Sequence, residues 1–235
     1  MEIEIAGDEG LLVRFGAQAG VPSPAVHAEV LAALAALEAA RAAFVVDLVP
    51  SYACLLVRYD AALATAAEAR AWAAGCLGAA GAAAPAASAA GRLLEIPVWY
   101  DPEVAPDLEE LAANKGWSPD ELADRHAAVE YLVYVLGFRP GFPFLGSVDA
   151  QLAAPRLERP RPRVAAGSVG IAGRQTGVYP VDGPGGWRIV GRTPLAVFDL
   201  ARPDPFLFHV GDRVRFVRID GARYRELARE GRPQL

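Results

Sequence analysis

Three glycine- and proline-rich segments in the second half of the chain hold most of the residues that could do chemistry. The first runs Gly137-Phe138-Arg139-Pro140-Gly141-Phe142-Pro143-Phe144-Leu145-Gly146. Two prolines, three glycines and three phenylalanines in ten residues rule out a regular helix or a central strand, so a loop is expected. Such a loop can hold an aromatic wall, Phe142 included, against a ligand; it can equally be a packed structural turn. The second segment runs from Ala166 to Pro180. Gly167 and Gly170 would let the backbone approach a ligand, and with Ser168 their N–H groups could form an anion-binding nest. Gln175, Thr176 and Tyr179 add neutral hydrogen-bonding groups. The alternative is a barrel strand in which glycines mark bulges and corners. The third segment, Pro184 to Pro194, offers Trp187 for stacking and Arg192, beside Thr193, for bidentate pairing with a carboxylate or phosphate. A core tryptophan and a surface arginine would read the same way. His126, ahead of Tyr131 and the aromatic loop, is the histidine placed to act as a general acid or base at a cleft, or else to serve as a satisfied structural residue. His27 and His209 carry no such signal.

Familiar signatures are missing. The sequence contains no G-x-x-x-x-G-K-[ST], no Rossmann glycine fingerprint after a strand, no G-x-S-x-G and no H-E-x-x-H. Cys54 and Cys76 have no metal-ligand spacing, so no metal site is expected, and two buried thiols suit a reducing cytoplasm. A net charge of −5 argues against nonspecific nucleic-acid binding. The charge is uneven, however. Between Arg156 and Arg192 stand seven arginines and two acids, a local balance of +5, so the rest of the chain carries −10. An arginine-rich segment on an acidic chain points to a discrete anion site. Within it, Arg159-Pro160-Arg161-Pro162-Arg163 can equally be read as a solvated loop. No run of eighteen strongly apolar residues is present, and Met1–Ile5 alternates like a strand rather than a signal, so no membrane association is expected.

The elements that must position these residues fall into two groups. Residues 1–91 read as strand, strand, helix, strand, strand and an alanine-rich helix from Ala61 to Leu77, with Gly78–Gly91 as linker. Ser23-Pro24 opens the first helix. Residues 92–235 start with a strand at Leu93–Tyr100, followed by two short helices, the second capped at Ser118. From Tyr131 on, short β-rich pieces alternate with turns: 131–138, 169–172, 178–181, 187–190, 196–200 and 213–219. The fold class expected is α+β and mainly β: a small α+β N-terminal domain, then a β-barrel or sandwich.

The three segments, in this order, resemble the KipI/PxpB family, also called allophanate hydrolase subunit 1 or carboxyltransferase subdomain C/D. Val49–Asp60 and Ile96–Asp101 carry the likeness into the first half, and it extends from about Glu2 to Ile219. The chain departs from the usual wording at Phe144, where tyrosine is common, and at Cys54, usually serine or threonine. The resemblance implies a cyclophilin-like barrel, which does not bring prolyl isomerase activity with it. It implies the B-type subunit of an ATP-dependent 5-oxoprolinase, inactive alone, with a larger PxpC/KipA-like subunit and a PxpA-like third. ATP would be shared with the partner subunit, with magnesium held there. Catalytic roles would fall to His126, Gln175 and Arg192, and substrate or anion binding to Tyr131, Phe142, Gly167, Ser168, Gly170, Thr176, Tyr179, Trp187 and Thr193. Family alternatives are inhibition of a sensor histidine kinase and carboxyl transfer in a urea- or allophanate-type biotin enzyme, whose biotin would sit on another chain.

Overall fold

Alternating apolar residues build the first sheet. In the computed structural model, which describes residues 1–16, 23–82 and 91–230, strand β2 (Gly10–Arg14) buries Leu11 and Val13, and β4 (Cys54–Tyr59) buries Leu55, Val57 and Tyr59. With β1 (Glu2–Ile5) and β3 (Val45–Pro50) they form an antiparallel sheet of order β1-β2-β4-β3. Helix α1 (Pro24–Ala39) starts where Ser23 accepts a hydrogen bond from the Val26 N–H, and it turns Val30, Ala33 and Leu37 inward. Each large apolar side chain so enclosed contributes roughly 1.5–3 kcal/mol. Helix α2 (Ala66–Ala82) begins five residues later than the alanine content suggests. Thr65 and Glu68 set the start: the Thr65 hydroxyl accepts from the Glu68 N–H at 3.3 Å, and the Glu68 carboxylate accepts from the Thr65 N–H at 2.8 Å. This reciprocal cap outweighs propensity. The helix also runs on into the expected linker, of which residues 83–90 lie outside the described residues. Cys54 and Cys76 are free thiols, half-buried rather than enclosed.

The chain divides into Met1–Ala90 and Gly91–Leu235. The second unit is a closed seven-stranded barrel of order β10-β7-β6-β13-β5-β12-β9, with a two-stranded pair β8–β11 outside it. Strand β5 (Leu93–Trp99) lies parallel to β13 (Arg213–Ile219) and sends Leu94, Ile96 and Val98 into the core beside Val214 and Phe216. Pro97 is tolerated because β12 (Arg188–Arg192) joins β5 only at Trp99 opposite Arg192, so the missing N–H interrupts no ladder there. Helices α3 (Leu108–Ala113) and α4 (Pro119–Ala127) add Leu108, Leu111, Ala112 and Leu122 to the same core. The class is α+β with a barrel, as expected.

Several local expectations are corrected. Pro143–Gly146 is not loop but strand β7, between β6 (Glu130–Leu136) and β10 (Gln175–Val178). Its proline is the first residue of the strand, where the ladder loses nothing. The second segment's strand after the turn is β10, beginning at Gln175 rather than Val178, because β9 (Ser168–Ala172) turns back at once and pairs Ala172 with Gln175. The Arg159–Arg163 run is not wholly solvated loop: Arg161–Val164 is β8, paired with β11 (Gly183–Gly185). Residues 196–200 form no strand, only a bridge between Phe198 and Phe206, in a segment broken by Pro194, Pro203 and Pro205. A terminal helix α5 (Gly221–Arg229), capped by Asp220, follows β13.

Candidate functional site

The residues singled out from the sequence separate into three neighbourhoods of the barrel unit. The first is inside the barrel. Helix α4 delivers His126 to the core, where it is fully buried and stacked on Phe216 at 4.8 Å. The Thr176 hydroxyl on β10 donates to the Gly170 carbonyl on β9 at 3.0 Å, so its oxygen must accept from His126 Nε2–H at 2.9 Å. Nδ1 is then left to accept from the Tyr100 hydroxyl at 2.7 Å. The Tyr131 hydroxyl donates to the His126 carbonyl at 2.9 Å. Because the row ends on a carbonyl, which can only accept, its direction and the imidazole tautomer are fixed. Burial drives the His126 pKa down to about 3 and raises those of Tyr100 and Tyr131, so the row is neutral across the physiological range. His126 therefore does not stand at a cleft. Both its nitrogens are engaged, one by Tyr100 and the other by Thr176.

The second neighbourhood is an aromatic cluster. Phe142, at the turn into β7, packs edge-on against Phe144, Tyr179 and Trp187 at centroid distances of 4.9, 5.2 and 5.3 Å. Phe142, Tyr179 and Trp187 are all buried, so this wall faces the protein. The Trp187 backbone N–H donates to the Tyr179 hydroxyl, whose pKa burial raises. The glycines here admit close packing: a Cβ on Gly185 would lie 2.3 Å from the Tyr179 oxygen, and one on Gly170 3.0 Å from the Trp187 Cβ.

The third neighbourhood lies where β12 ends and the loop before β9 crosses it. Gly167, at φ +80°, donates its N–H to the Tyr179 carbonyl, and its carbonyl accepts from Thr193 N–H. A side chain on it would strike the Thr193 carbonyl at 2.3 Å. Ser168 N–H goes to Ala165, Gly173 N–H to Ala154, and β9 is paired on both edges. The expected anion nest is thus absent here, because the ladder engages the donors that would have formed it. Thr193 is buried and its hydroxyl accepts from Leu195 N–H. Arg192 differs. Its Nε donates to the Ala166 carbonyl at 2.9 Å, and among the described residues no carboxylate pairs with its guanidinium. Gln175 is half-buried at the start of β10, opposite Gly146 and Ala172.

Sequence reasoning missed several groups. Tyr100 completes the buried row. Asp107, 2% exposed, is gripped by both terminal nitrogens of Arg161 at 2.7 and 2.8 Å and by the Ile189 N–H at 2.7 Å, which ties α3 to β8 and β12. Asp182 gathers Arg163 and the Ala166 N–H. Its place among seven arginines, with Glu158 the only other acid, was the available signal. Among the described residues no group of three His, Cys, Asp or Glu side chains is arranged to hold a metal ion.

The chain belongs to the family of the carboxyltransferase domain, subdomain C and D, whose model matches residues 1–208. Among its relatives is the B-type subunit of 5-oxoprolinase from Bacillus subtilis (strain 168), 55% identical over 133 residues, covering 57% of this chain and 55% of that protein. The corresponding 5-oxoprolinase subunit of Escherichia coli O157:H7 is 53% identical over 126 residues, covering 54% and 58%. The alignment therefore spans little more than half the length of these curated relatives. The crystal structure of TTHA0988 superposes with a TM-score of 0.78 at 39% identity, over 90% of this chain and 40% of that one.

Proposed function

We propose that this chain is the B-type subunit of an ATP-dependent 5-oxoprolinase, working with a larger PxpC/KipA-like subunit and a PxpA-like third. The reaction is 5-oxo-L-proline, ATP and water to L-glutamate, ADP and phosphate. The observation that carries this is the 55% identity to the B-type subunit of a 5-oxoprolinase. The chemistry is consistent with it. A lactam is a resonance-stabilised amide, and ring opening requires activation of its carbonyl oxygen, most simply by phosphoryl transfer. The negative charge that develops needs fixed cationic or hydrogen-bonding groups. Arg192, anchored through Nε and unpaired with any described carboxylate, and Gln175, at the start of β10, are the side chains assigned that work. His126 is assigned positioning rather than proton transfer. Among the described residues no group of three or more His, Cys, Asp or Glu side chains is arranged to hold a metal ion. With the family reading, we assign the magnesium that accompanies ATP to the partner subunit and expect the isolated chain to be inactive. We assign the complex to the cytoplasm, whose reducing conditions suit the free thiols Cys54 and Cys76.

The test is reconstitution of the three subunits and measurement of ADP release dependent on 5-oxoproline. Arg192→Ala and Gln175→Ala should each lower turnover by at least ~100-fold, the usual effect of removing a transition-state donor, without moving the melting temperature. Full activity in both variants would sink the site assignment. A wild-type complex that releases no ADP with 5-oxoproline sinks the functional reading. The family's description supports a second reading, carboxyl transfer from biotin carried on another chain. Urea-dependent turnover with a biotin-bearing partner would favour it.

A further inference from the structure

Arg139, Arg163 and Arg192 come from three separate segments, the β6–β7 turn, β8 and the end of β12, and they meet around one acid, Asp182. Two residues hold the group together. The Ala166 N–H donates to Asp182 Oδ1 at 2.8 Å, while the Ala166 carbonyl accepts from Arg192 Nε at 2.9 Å. Asp182 Oδ2 accepts from Arg163 Nε at 3.0 Å and from Nη2 at 2.5 Å, and the Asp182 carbonyl accepts from Arg139 Nη1 at 3.4 Å. Gly183 leaves room for this: a Cβ there would stand 2.3–2.7 Å from the Arg139 guanidinium atoms. The Ala166 N–H and the Arg163 guanidinium hold the Asp182 carboxyl below the usual range, so it stays ionised. Three positive charges thus face one negative charge. Among the described residues neither Arg139 nor Arg192 pairs with any carboxylate.

We propose that Arg139, Arg163 and Arg192, organised by Asp182 and Ala166, form a binding site for the phosphates of a polyphosphate ligand. The inference rests on the ATP-dependent reading for its physiological occupant, but its geometry is independent of the reaction. Guanidinium forks match phosphate oxygens and take them bidentately. Arg163 is 78% exposed, so its ion pair with Asp182 is weak and can be exchanged for a more highly charged partner. Asp182 then acts as a positioning residue that keeps the guanidinium groups together without neutralising them.

Binding of sodium tripolyphosphate, ATP, adenosine and an oligoglutamate peptide to the 235-residue chain is measured by calorimetry, alongside the KM for ATP of the reconstituted complex. Tripolyphosphate and ATP should bind and compete with each other, adenosine should not bind, and affinity should fall steeply with added salt. Arg139→Ala, Arg163→Ala and Gly183→Ala should each weaken tripolyphosphate at least ~10-fold and raise the KM for ATP in proportion, with Arg163→Lys restoring part of it. Arg163 is exposed and Arg139 half-buried, and neither lies in the core, so these variants remain folded even if Gly183→Ala does not. Affinity for tripolyphosphate and KM for ATP both unchanged in Arg139→Ala and Arg163→Ala would overturn the site. So would tighter binding of oligoglutamate than of tripolyphosphate, which would mark a docking face for an acidic protein. The two proposals separate cleanly. A complex inert toward 5-oxoproline whose B-type chain still binds tripolyphosphate through these arginines loses the reaction and keeps the site. A complex that turns over 5-oxoproline, with tripolyphosphate affinity and the KM for ATP both unchanged in the two arginine variants, keeps the reaction and loses the site.

Discussion

The buried row Tyr100–His126–Thr176 and the surface group Arg139–Arg163–Arg192–Asp182 sit in the same barrel unit and differ in almost every physical respect. In the row every donor has its acceptor, the direction is fixed by a terminal carbonyl, and burial keeps all members neutral. The surface group is charged and unevenly paired, with three guanidinium groups to one carboxylate; Arg163 and Asp182 are exposed and Arg139 and Arg192 half-buried. Histidine, tyrosine and threonine are the residue types that suggest catalysis, yet here they fasten the residue after β5, α4, β9 and β10 together. Arginine and aspartate, easily dismissed as solvated, are the groups left with unmatched charge. Polar groups without exposure serve the fold, and those with unmatched charge are available to a ligand.

Asp107 strains this contrast most, since its carboxylate is buried and charged while its partner Arg161 reaches toward solvent. Its enclosure between Arg161 and the Ile189 N–H makes it structural. Asp107→Ala strands Arg161 beside the core and should cost about 3–5 kcal/mol in a chemical-denaturation experiment. A loss below ~1 kcal/mol would mean the pair is solvated and belongs with the surface group. The row itself is tested by acid. His126 has a folded pKa of about 3 against an unfolded value of about 6.5. Above 6.5 both states are neutral and the full stability is present. As pH falls from 6.5 toward 3, only the unfolded chain takes up the proton, so stability declines by up to ~1.4 kcal/mol per pH unit. Below 3 the loss levels off. His126→Gln should remove this slope; an unchanged pH profile would place the imidazole in solvent. Smaller again is Thr176→Val, which leaves His126 Nε2–H without its acceptor and should cost about 1–3 kcal/mol. A Thr176→Val chain as stable as the parent would show that water replaces the hydroxyl and that the row is not sealed.

The fold was legible where local pattern and tertiary need agree. Leu94, Ile96 and Val98 alternate along β5, Val214 and Phe216 along β13, and Ser23-Pro24 opens α1. It was not legible where pairing partners decide. Pro143–Gly146 is poor strand sequence, and the neighbours β6 and β10 impose its conformation. Arg161–Val164 becomes a strand because β11 lies beside it and Asp107 takes up Arg161. The start of α2 is a different case, since Thr65 and Glu68 stand at capping spacing and the signal was there to be read. For the site, glycine density correctly marked unusual backbone. It could not distinguish a nest for a ligand from a corner where Gly167 lies against the Thr193 carbonyl. Only the hydrogen-bond ladder, a non-local property, decides which N–H groups remain free.

The smallest expected effect on stability separates the two regions most sharply. Arg163→Ala removes an ion pair whose arginine is 78% exposed and whose aspartate is 43% exposed. Water and salt already screen that pair, and two flexible side chains are released when it is lost. The melting temperature should therefore stay within measurement error of the parent chain, even though the same substitution weakens tripolyphosphate binding. If Arg163→Ala instead destabilised the chain as strongly as Asp107→Ala, Asp182 would be a second structural anchor like Asp107. The arginines around it would then be occupied by the fold, and the distinction between a satisfied interior and an available surface would no longer hold.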